Sequence, residues 1–576
     1  MTRGAAPTAL AERGAALIAR GFERYHREFL AISRRAKQRF ETRDWHGALA
    51  DGRERLLLYN EILQQVIGEL RPLLGEFAEQ TDLWTAMRSA HARDVLGHPA
   101  GEIAETFFNS VTRRILRTVG TNPGVEYLDF RFERVLGPIR AMGYRNFAAE
   151  PDTASAVRSL LDHFAFGVPW ADPVGDASRV GAEIARAWDE GEAPHALETL
   201  EVLEPVFYRR KGAYLVGRAR GGNRIMPLLL ALVHRQGGVR VDAALLTEDE
   251  VSVVFSFTRS YFRADVPSPS GAIEFLRTLM PLKPVSELYT ALGHHKHGKT
   301  EFFRSLQRHL LRTSEKFART PGARGMVMEV FALPTFEAVF KVIRDEFPPP
   351  KHLTPSEVQR RYRMVFSHDR AGRLVDAQEY LGLAFPRDRF VPELLDELLA
   401  SAGRSVRLEG DGVVITFLYA ERKVRPLDLY MDESPPAARV AAALDYGQAI
   451  RDLASTGIFP GDLLPKNFGV TRSGRVVFYD YDELRLMEEC RFRELPEPRI
   501  PEEELADEPW YYIGPDDVFP QDLARFVPFS GEARAAFLKA HGHIYDTRYW
   551  RDLQARLSAG EVVDIFPYGQ ARRLGR

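Results

Sequence analysis

Three residues with oxygen-bearing side chains follow one another in the stretch "GIFPGDLLPKNFGVTRSGRVVFYDYDEL", which runs from Gly457 to Leu484. Asp462 is followed five positions later by Asn467, and Asp480 comes directly after a hydrophobic run. Phosphoryl transfer from ATP needs a carboxylate near the attacking hydroxyl and oxygen ligands that hold Mg²⁺ against the phosphates. The order of these residues therefore predicts Asp462 as the catalytic carboxylate, with Asn467 and Asp480 as metal ligands.

The same stretch departs from the usual kinase motifs, which are H-R-D-L-x-x-x-N followed by D-F-G. Pro460-Gly461 stands where His-Arg is expected, and Asp480-Tyr481-Asp482 replaces D-F-G. The second carboxylate of that triplet, Asp482, is either a further metal ligand or a surface charge at the end of a strand. Both interpretations stay open at this point.

A kinase also needs a strand-borne lysine for the α- and β-phosphates, and "AVFKVI" offers Lys341. It lies in the second strand of a hairpin predicted from "RGMVMEVFALP" and "TFEAVFKVI". A lone lysine in a strand is usually an ordinary exposed residue, but the downstream acidic set favours phosphate binding here. The carboxylate partner of Lys341 is not evident, because Glu357 is already explained as the capping partner of Thr354.

The stretch "GHHKHGKT", residues 293–300, fits the phosphate-loop pattern G-x-x-x-x-G-K-[ST] letter by letter. A true phosphate loop follows a buried strand, whereas "PVSELYTAL" before it predicts a short helix, and a second helix is expected from near Thr300. We therefore do not expect the ATP site here. No acid or cysteine lies among His294, His295 and His297, so they are interpreted as a basic surface loop rather than a metal site.

The elements that must position these residues predict an α+β fold. Residues 1–318 form a mostly helical region with a β-rich insert near 203–262, in which "VSVVFSFTRSYF" is a predicted strand. Residues 319–576 run strand, strand, helix, strand, helix, loop, strand. In that second part the helices begin at Pro355 and near "AARVAAALDYGQAIRDLASTG", and "DGVVITFLYAE" is a strand.

Bulk properties exclude several classes of protein. The chain has 576 residues, a formal net charge of −2 and one cysteine, Cys490. The longest apolar run, Ile225 to Val233, is too short to cross a bilayer. A cytoplasmic protein is predicted, with neither nucleic acid nor membrane as a partner, because no global field or apolar span favours them.

Long stretches from both halves of the chain carry a family resemblance. They are "AKQRFETRDWH" (36–46), "EIAETFFNSV" (102–111), "PGARGMVMEVFALPTFEAVFKVI" (321–343), "HDRAGRLVDAQE" (368–379), "GIFPGDLLPKNFGVTRSGRVVFYDYDE" (457–483) and "WYYIGPDDVFP" (510–520). Through them the chain resembles the isocitrate dehydrogenase kinase/phosphatase family, the bifunctional regulators of the glyoxylate bypass. "GDLLPKN…YDYD" alone also resembles small-molecule kinases such as aminoglycoside and choline kinases.

The family resemblance implies a helical regulatory domain followed by a bilobed protein-kinase-like domain. It implies that one site uses ATP with Mg²⁺, or Mn²⁺, both to phosphorylate a serine of NADP-dependent isocitrate dehydrogenase and to support removal of that phosphate. Asp376, within "RLVDAQE", is implied as the phosphatase residue, and AMP as an effector acting between the domains. Besides Lys341, the implied ATP-binding residues are Thr320, Pro321, Gly322, Ala323, Arg324, Gly325 and Met326.

Two other functions are weighed against this one. A small-molecule kinase using the same acidic set has no need of an upstream domain of about 320 residues, and a non-catalytic pseudokinase has no need of the full set of Lys341, Asp462, Asn467 and Asp480. The aromatic, acidic stretch 510–520 is either a loop that grips a protein partner or a packed loop of the larger kinase lobe.

Overall fold

The protein begins with an antiparallel group of long helices that bury one apolar stripe. The computed structural model describes residues 5–118, 120–128, 142–191, 195–257, 260–320, 324–349, 351, 353–368, 370–497, 511–527 and 529–574. The first helices are α1 (Ala5–Glu41), α2 (Trp45–Leu74), α3 (Thr81–Asp94) and α4 (Gly101–Leu116). One apolar stripe along α1 is buried throughout; its members are Ile18, Phe22, Tyr25, Phe29, Ile32 and Ala36.

An antiparallel sheet in the order β1-β2-β4-β5-β6, with β3 paired to β4, follows these helices. Its strands are β1 (Tyr144–Ala148), β2 (Thr199–Leu203), β3 (Phe207–Arg209), β4 (Gly212–Gly221), β5 (Arg224–Arg235) and β6 (Gly238–Leu245). Helices α5 (Thr153–His163) and α6 (Pro173–Glu190) cover one face. Side chains alternate between the faces, so Leu215 packs with α5 and α6 whereas Tyr214 and Val216 pack with the long helices.

Two details of the predicted β-rich insert are wrong. The sheet starts much earlier than residue 203, at Tyr144, and its last strand ends at Leu245. The predicted strand at "VSVVFSF" is instead helix α7 (Glu248–Val254). Its start is a capping box, in which the side chains of Thr247 and Glu250 each accept a hydrogen bond from the other's backbone N–H. This local cap outweighs the strand preference of the valines.

Helices α8 (Pro269–Leu279), α9 (Val285–Ala291) and α10 (His295–Arg312) complete the first part of the chain. The short helix expected before "GHHKHGKT" is confirmed as α9, so no strand leads into that stretch. The next helix begins at His295, five residues earlier than predicted. Gly293, with φ of +95°, makes the sharp corner between the two helices.

The histidines of this corner do not form a surface loop, which corrects the prediction. His294 and His297 are 3% and 2% exposed. The His294 ring stacks on Phe29, and His297 Nδ1 shares a hydrogen bond of 2.7 Å with Thr106 Oγ1. Burial holds the pKa of His294 well below its usual range. His294 and His297 are therefore buried packing residues between helices.

The second part opens with a small lobe built on a sheet in the order β10-β12-β9-β8-β7, with β11 paired to β12. Helix α10 packs on this sheet through Phe303, Leu306 and Leu310. The elements of the lobe are β7 (Ala318–Arg319), β8 (Met328–Ala332), β9 (Ala338–Ile343), α11 (Pro355–His368), β10 (Ala377–Pro386), α12 (Pro392–Ser401), β11 (Val406–Glu409) and β12 (Gly412–Arg422).

The larger lobe is mostly helical and ends in a segment that returns to the first domain. Its helices are α13 (Leu427–Glu433), α14 (Pro436–Ala454), α15 (Leu523–Phe526), α16 (Gly531–His541) and α17 (Thr547–Ser558). Its short strands are β13 (Arg425–Pro426), β14 (Ile458–Phe459), β15 (Phe468–Val470), β16 (Val476–Phe478), β17 (Arg485–Leu486), β18 (Arg491–Phe492) and β19 (Asp517–Val518).

The predicted α+β class is confirmed: a helical first part precedes a two-lobed second part with its own sheet. Past α17 the chain crosses back, and the Arg573 guanidinium pairs with the buried carboxylate of Asp242 in β6 at 2.7 Å. Across the ranges described above, no helix is both long and apolar enough to span a membrane.

Candidate active site

The proposed nucleotide segment, residues 320–326, lies at the turn between β7 and β8. Thr320 N donates to Val330 O, which closes the base of the turn. A side chain at Gly325 would meet Met328 O at 2.8 Å, so the backbones approach closely there. Arg324 pairs with Glu397 of α12 at 3.2 Å, and Met326 is partly exposed. Pro321, Gly322 and Ala323 lie outside the described residues.

Lys341 is the centre of the small-lobe side of the site. Its ammonium nitrogen lies 2.7 Å from Glu421 Oε2 and donates to Tyr479 O at 3.0 Å. Residue Tyr419 of β12 sits opposite Lys341 in the sheet, and this register brings Glu421 within reach. Glu421 is the carboxylate partner that sequence reasoning missed, whereas Glu357 is occupied with its cap to Thr354.

Burial raises the pKa of Glu421 in spite of the neighbouring Lys341, and the charge of Asp376 raises it further. Its second oxygen, Oε1, is buried and accepts no hydrogen bond from any residue the structure describes. A buried oxygen without a donor is costly in a finished core. Because Glu421 Oε1 lies beside Lys341, a ligand bound there would be placed to donate the hydrogen bond that this oxygen lacks.

Asp376 lies immediately before β10, on the neighbouring strand to Glu421, because Ala377 and Glu421 are opposite each other in the sheet. Its carboxylate accepts from Gln378 Nε2 at 3.2 Å and is half-buried. The stretch before it is joined to β16 by two backbone hydrogen bonds, Phe478 N to Arg373 O and Val375 N to Phe478 O, of 2.7 and 3.1 Å. Asp376 is therefore held close to the strand that leads into Asp480.

Tyr481, the middle residue of the Asp-Tyr-Asp triplet, adds a further tie between these segments. Its fully buried hydroxyl donates to Val375 O at 2.5 Å. The ring also packs edge-on against Tyr362 of α11, with 4.9 Å between the centroids. A phenylalanine at this position, as in D-F-G, would keep the packing and lose the hydrogen bond to the residue before Asp376.

Tyr481→Phe is expected to slow a reaction that depends on Asp376 about tenfold more than a reaction that depends on Asp462. The variant loses the hydrogen bond to the residue before Asp376, so the positioning of Asp376 is weakened while that of Asp462 is not. The measurement is the ratio of dephosphorylation to phosphorylation rates in the variant and the wild type. An unchanged ratio would mean that the tyrosine hydroxyl has no positioning role.

The large-lobe side of the site is the loop from Gly461 to Asn467. Gly461 has a φ of +84°, and a side chain there would meet Glu483 O at 2.3 Å, so the arginine of the usual kinase motif could not be accommodated. Asp462 Oδ1 accepts from Leu464 N, and the buried Asn467 amide donates to Asp462 O at 3.3 Å. These bonds fix the catalytic and metal-binding candidates relative to each other.

A short chain of contacts joins the two sides. Tyr479 O accepts from Lys341, while Tyr479 N donates to Asn467 O at 3.1 Å. Asp480 follows directly, so Lys341, Asn467 and Asp480 gather around one residue. Asp462 joins them through its contact with Asn467, and Asp376 through its attachment to Phe478.

Asp480 and Asp482 lie in hydrogen-bonding contact with each other. Burial raises the pKa of Asp480 well above its usual range, and the charge of Asp482 adds to this effect. Burial also works against ionisation of Asp482, but its hydrogen bonds with Asp480 and Lys351 outweigh burial and lower its pKa. The Lys351 ammonium lies 2.8 Å from Asp482 and 2.6 Å from Glu483.

This donor set fits a divalent cation bound with phosphate. Two close carboxylates and an amide are hard oxygen ligands of the kind Mg²⁺ takes, and a cation would relieve their mutual repulsion. No cluster of three or more His, Cys, Asp or Glu side chains suited to a metal occurs in the described ranges. The set is thus incomplete without phosphate oxygens, as in other phosphoryl-transfer sites.

Comparison with known proteins covers almost the whole chain. A family model described as the regulatory domain of isocitrate dehydrogenase kinase/phosphatase (AceK) matches residues 15–314, and one described as its kinase domain matches residues 315–570. The chain belongs to the isocitrate dehydrogenase kinase/phosphatase family. The two family models meet in the connection between α10 and β7.

Relatives named isocitrate dehydrogenase kinase/phosphatase include one from Anaeromyxobacter sp. (strain Fw109-5), 48% identical over 99% of both chains. A second, from Anaeromyxobacter dehalogenans (strain 2CP-C), is 47% identical over 98% of both chains. A third, from Xanthomonas euvesicatoria pv. vesicatoria (strain 85-10), is 43% identical over 98% of both chains. The resemblance noted from the sequence is therefore confirmed.

In this member of the family, a buried ionic cluster supports the loop that carries Asp376. The Arg373 guanidinium, 2% exposed, contacts Asp452 at 2.8 Å and Asp445 at 2.7 Å, both on α14. It also donates to Val476 O, in the first residue of β16. Burial opposes ionisation of Asp445, yet the Arg373 charge holds its pKa below the usual range.

Arg373→Met is expected to destabilise the kinase domain by roughly 3–5 kcal/mol at pH 7, because it strands buried carboxylates. With Arg373 present, the lowered pKa of Asp445 contributes stability above the unfolded value of about 4, and this is lost as pH falls. The difference in the free energy of unfolding between wild type and variant should therefore narrow as pH falls below about 4. Urea unfolding at pH 7 and at pH 3 measures this difference, with the exposed Arg556→Met as control.

The acidic aromatic stretch is partly packed and partly exposed. Tyr511 packs edge-on against Phe519, and the Asp517 carboxylate accepts from Arg493 and Gly514 N. Tyr512 is 78% exposed and Ile513 is 47% exposed. The base of the loop thus belongs to the large lobe, while its tip presents apolar side chains outward. Trp510 lies outside the described residues.

Proposed function

We propose that this protein is a bifunctional serine kinase and phosphatase whose substrate is NADP-dependent isocitrate dehydrogenase. Phosphorylation inactivates the dehydrogenase and dephosphorylation reactivates it, which controls flux between the tricarboxylic acid cycle and the glyoxylate bypass. The observation that carries this proposal is the family match over both domains at 43–48% identity. The gathering of Lys341, Asp462, Asn467 and Asp480 supports it.

In the kinase direction the substrate serine oxygen attacks the γ-phosphorus of ATP, and ADP leaves. Asp462 orients the serine hydroxyl and accepts its proton. Lys341, held by Glu421, contacts the α- and β-phosphates, while the turn at 320–326 covers them. Asn467, Asp480 and Asp482 hold Mg²⁺ or Mn²⁺, which neutralises the charge on the phosphate oxygens when bound.

In the phosphatase direction water attacks the phosphoserine phosphorus and the serine oxygen leaves. Asp376 positions this water and takes its proton, a role suited to a half-buried carboxylate beside the Lys341–Glu421 pair. The two reactions thus share the cationic side of the site and differ in the carboxylate that activates the nucleophile.

AMP regulation is assigned to a cavity of about 490 Å³ between the domains, which Asp376 also lines. A nucleoside monophosphate needs cations for its phosphate and aromatic faces for its base. The cavity offers both kinds of side chain: Arg277, Lys283, Arg422, Arg475, Phe255, Phe257, Phe302 and Phe336. A ligand there would contact the wall that carries the phosphatase residue.

The substrate enzyme is expected to contact the exposed tip of the 511–520 loop, since Tyr512 and Ile513 are large apolar side chains without cover. A cytoplasmic location is part of the same proposal. The single cysteine, Cys490, is buried and burial raises the pKa of its thiol to about 12, so it suits a reducing compartment.

The test is to mix the purified protein with isocitrate dehydrogenase, Mg²⁺ and γ-labelled ATP, and then to add AMP. Label should enter a serine of the dehydrogenase, and AMP should speed its release as inorganic phosphate. An aminoglycoside and choline are tested in parallel as alternative phosphate acceptors. Label in either of them, with none in the dehydrogenase, would replace this proposal by a small-molecule kinase.

A further inference from the structure

A second cavity, of about 440 Å³, lies in the regulatory domain outside the site described above. Its walls come from the turn between β3 and β4, the end of β5, the connection between α1 and α2, and the C-terminal segment 563–568. The aromatic side chains among them give it a firm apolar frame: Trp45, Tyr214, Phe257, Phe566 and Tyr568.

The cavity is strongly basic. Among the described residues that line it, the cationic side chains are Arg43, Arg209, Arg210, Lys211 and Arg235, and the acidic side chain is Asp564. Five cationic residues and one acidic residue thus line a partly enclosed space. Such a space concentrates field lines and attracts anions, because low-dielectric walls screen charge poorly.

Asp564 shows how an anion is held there. Its carboxylate lies 2.7 Å from Lys211 Nζ and 2.8 Å from Arg235 Nη2, so it bridges two cations from neighbouring strands. Asp564 belongs to the C-terminal segment, which crosses from the kinase domain and is fastened beyond it by the pair of Arg573 and Asp242. A carboxylate delivered by another chain segment thus occupies one part of a larger basic cavity.

Arg210, a further cation of the cavity wall, is held by backbone carbonyl groups. The Arg210 guanidinium donates to two backbone carbonyls, Arg370 O at 2.9 Å and Val563 O at 3.0 Å. Burial, together with the charge of Arg370, lowers the pKa of Arg210 to about 10. An anion in the cavity would add to the partial compensation that the carboxylates of Asp452 and Asp564 give this buried charge.

The backbone is also strained at this cavity. Arg43 and Arg210 have φ values of +54° and +52°, and they are two of the three non-glycine residues with positive φ in the described ranges. Such a conformation is strained for a residue with a side chain and tends to occur at ligand clamps and functional sites. Both residues line the same cavity.

We propose that this cavity binds a small polyanion carrying at least two carboxylate or phosphate groups, one of which replaces Asp564 between Lys211 and Arg235. The aromatic frame limits the ligand to a compact molecule, and the C-terminal segment covers it. The site is separate from the proposed ATP site around Lys341, and it shares one lining residue, Phe257, with the cavity assigned to AMP.

The experiment is isothermal titration calorimetry of the full chain, without metal, using citrate and inorganic pyrophosphate as probes. Saturable binding of at least one probe is expected. Binding of citrate alone assigns a polycarboxylate ligand, and binding of pyrophosphate alone assigns a phosphorylated one. Saturable binding of neither probe to the wild type or to Asp564→Asn would overturn the proposal.

Variants locate the binding. Lys211→Gln and Arg235→Gln should each weaken it by about tenfold, the value of one charge-assisted hydrogen bond. Asp564→Asn should strengthen it, because the built-in competitor loses its charge, whereas binding at the nucleotide site would be indifferent to this change. Arg425→Gln, from an exposed pair with Glu433, is the matched control. Equal affinities in Lys211→Gln, Arg235→Gln and the wild type, or weaker binding by Asp564→Asn, would contradict the proposal.

Discussion

Asp462→Ala is expected to lower the rate of phosphate transfer from ATP to isocitrate dehydrogenase by about 10²–10⁴, the usual contribution of a positioned general base. The backbone of the loop should survive, because Gly461 makes the turn and the Asn467 amide bonds to the carbonyl, not the side chain, of Asp462. Nucleotide affinity should therefore stay close to that of the wild type. Transfer of labelled phosphate and direct binding of ATP measure the two effects separately.

The matched control is Asp396→Ala, which removes an exposed carboxylate from α12 in the same domain. It should transfer phosphate at the rate of the wild type. If Asp462→Ala retains more than a tenth of the wild-type transfer rate, Asp462 is not the base, and the positions of Asn467 and Asp480 would need another explanation.

Sequence spacing alone predicted the residues on the large-lobe side of this candidate site. The residues Asp462, Asn467 and Asp480 lie within one loop and the short hairpin after it, so their separation along the chain nearly determines their separation in space. Lys341 was predicted as well, because the pattern of apolar residues around it indicated a strand. Motifs of this kind are readable because few long-range contacts are needed to form them.

The partner of Lys341 was beyond such reasoning. Glu421 reaches Lys341 only because β12 pairs with β9 in one register, with Tyr419 opposite Lys341. A shift of one residue would turn Glu421 to the other face of the sheet. Register depends on packing across the whole small lobe, which no local pattern encodes. The same limit applies to Arg373 and the carboxylates of α14.

For other wrong predictions the sequence did contain the correct pattern, but a second pattern outweighed it. The pair Thr247 and Glu250 is a capping box in plain sequence, yet the valines after it suggested a strand. For His294 and His297 the sequence pattern suggested a basic loop, but both side chains are buried between α1, α4 and α9, and burial lowers the pKa of His294. Residue type predicts charge only when exposure is known.

The proposed roles of Asp462 and Asp376 give one site a different base for each of two opposed reactions. Asp462 comes from the large-lobe loop, while Asp376 precedes β10 of the small lobe and faces the cavity between the domains. A ligand bound in that cavity can therefore contact Asp376 directly. The backbone hydrogen bonds to Phe478 hold the segment before Asp376 near Asp480. Regulation of one activity without the other requires that the two carboxylates lie on different parts of the fold, as Asp462 and Asp376 do.

Asp376→Ala is accordingly expected to reduce removal of phosphate from phosphorylated isocitrate dehydrogenase by about 10²–10⁴, with phosphorylation within about tenfold of the wild type. The water that attacks phosphoserine loses its base, whereas the serine hydroxyl still has Asp462. Both rates are measured on the same preparation, by release of labelled phosphate and by its incorporation.

Two further variants separate charge from structure. Asp376→Asn keeps the hydrogen bond with Gln378 available and should fail as a base to the same degree. Asp388→Ala, at the exposed far end of β10, should leave both rates unchanged. Equal loss of both activities in Asp376→Ala would instead mean that Asp376 supports the Lys341–Glu421 pair, because that pair serves both reactions and lies on the adjacent strands. The split between the two rates, more than the size of either, is therefore what assigns Asp376 its role.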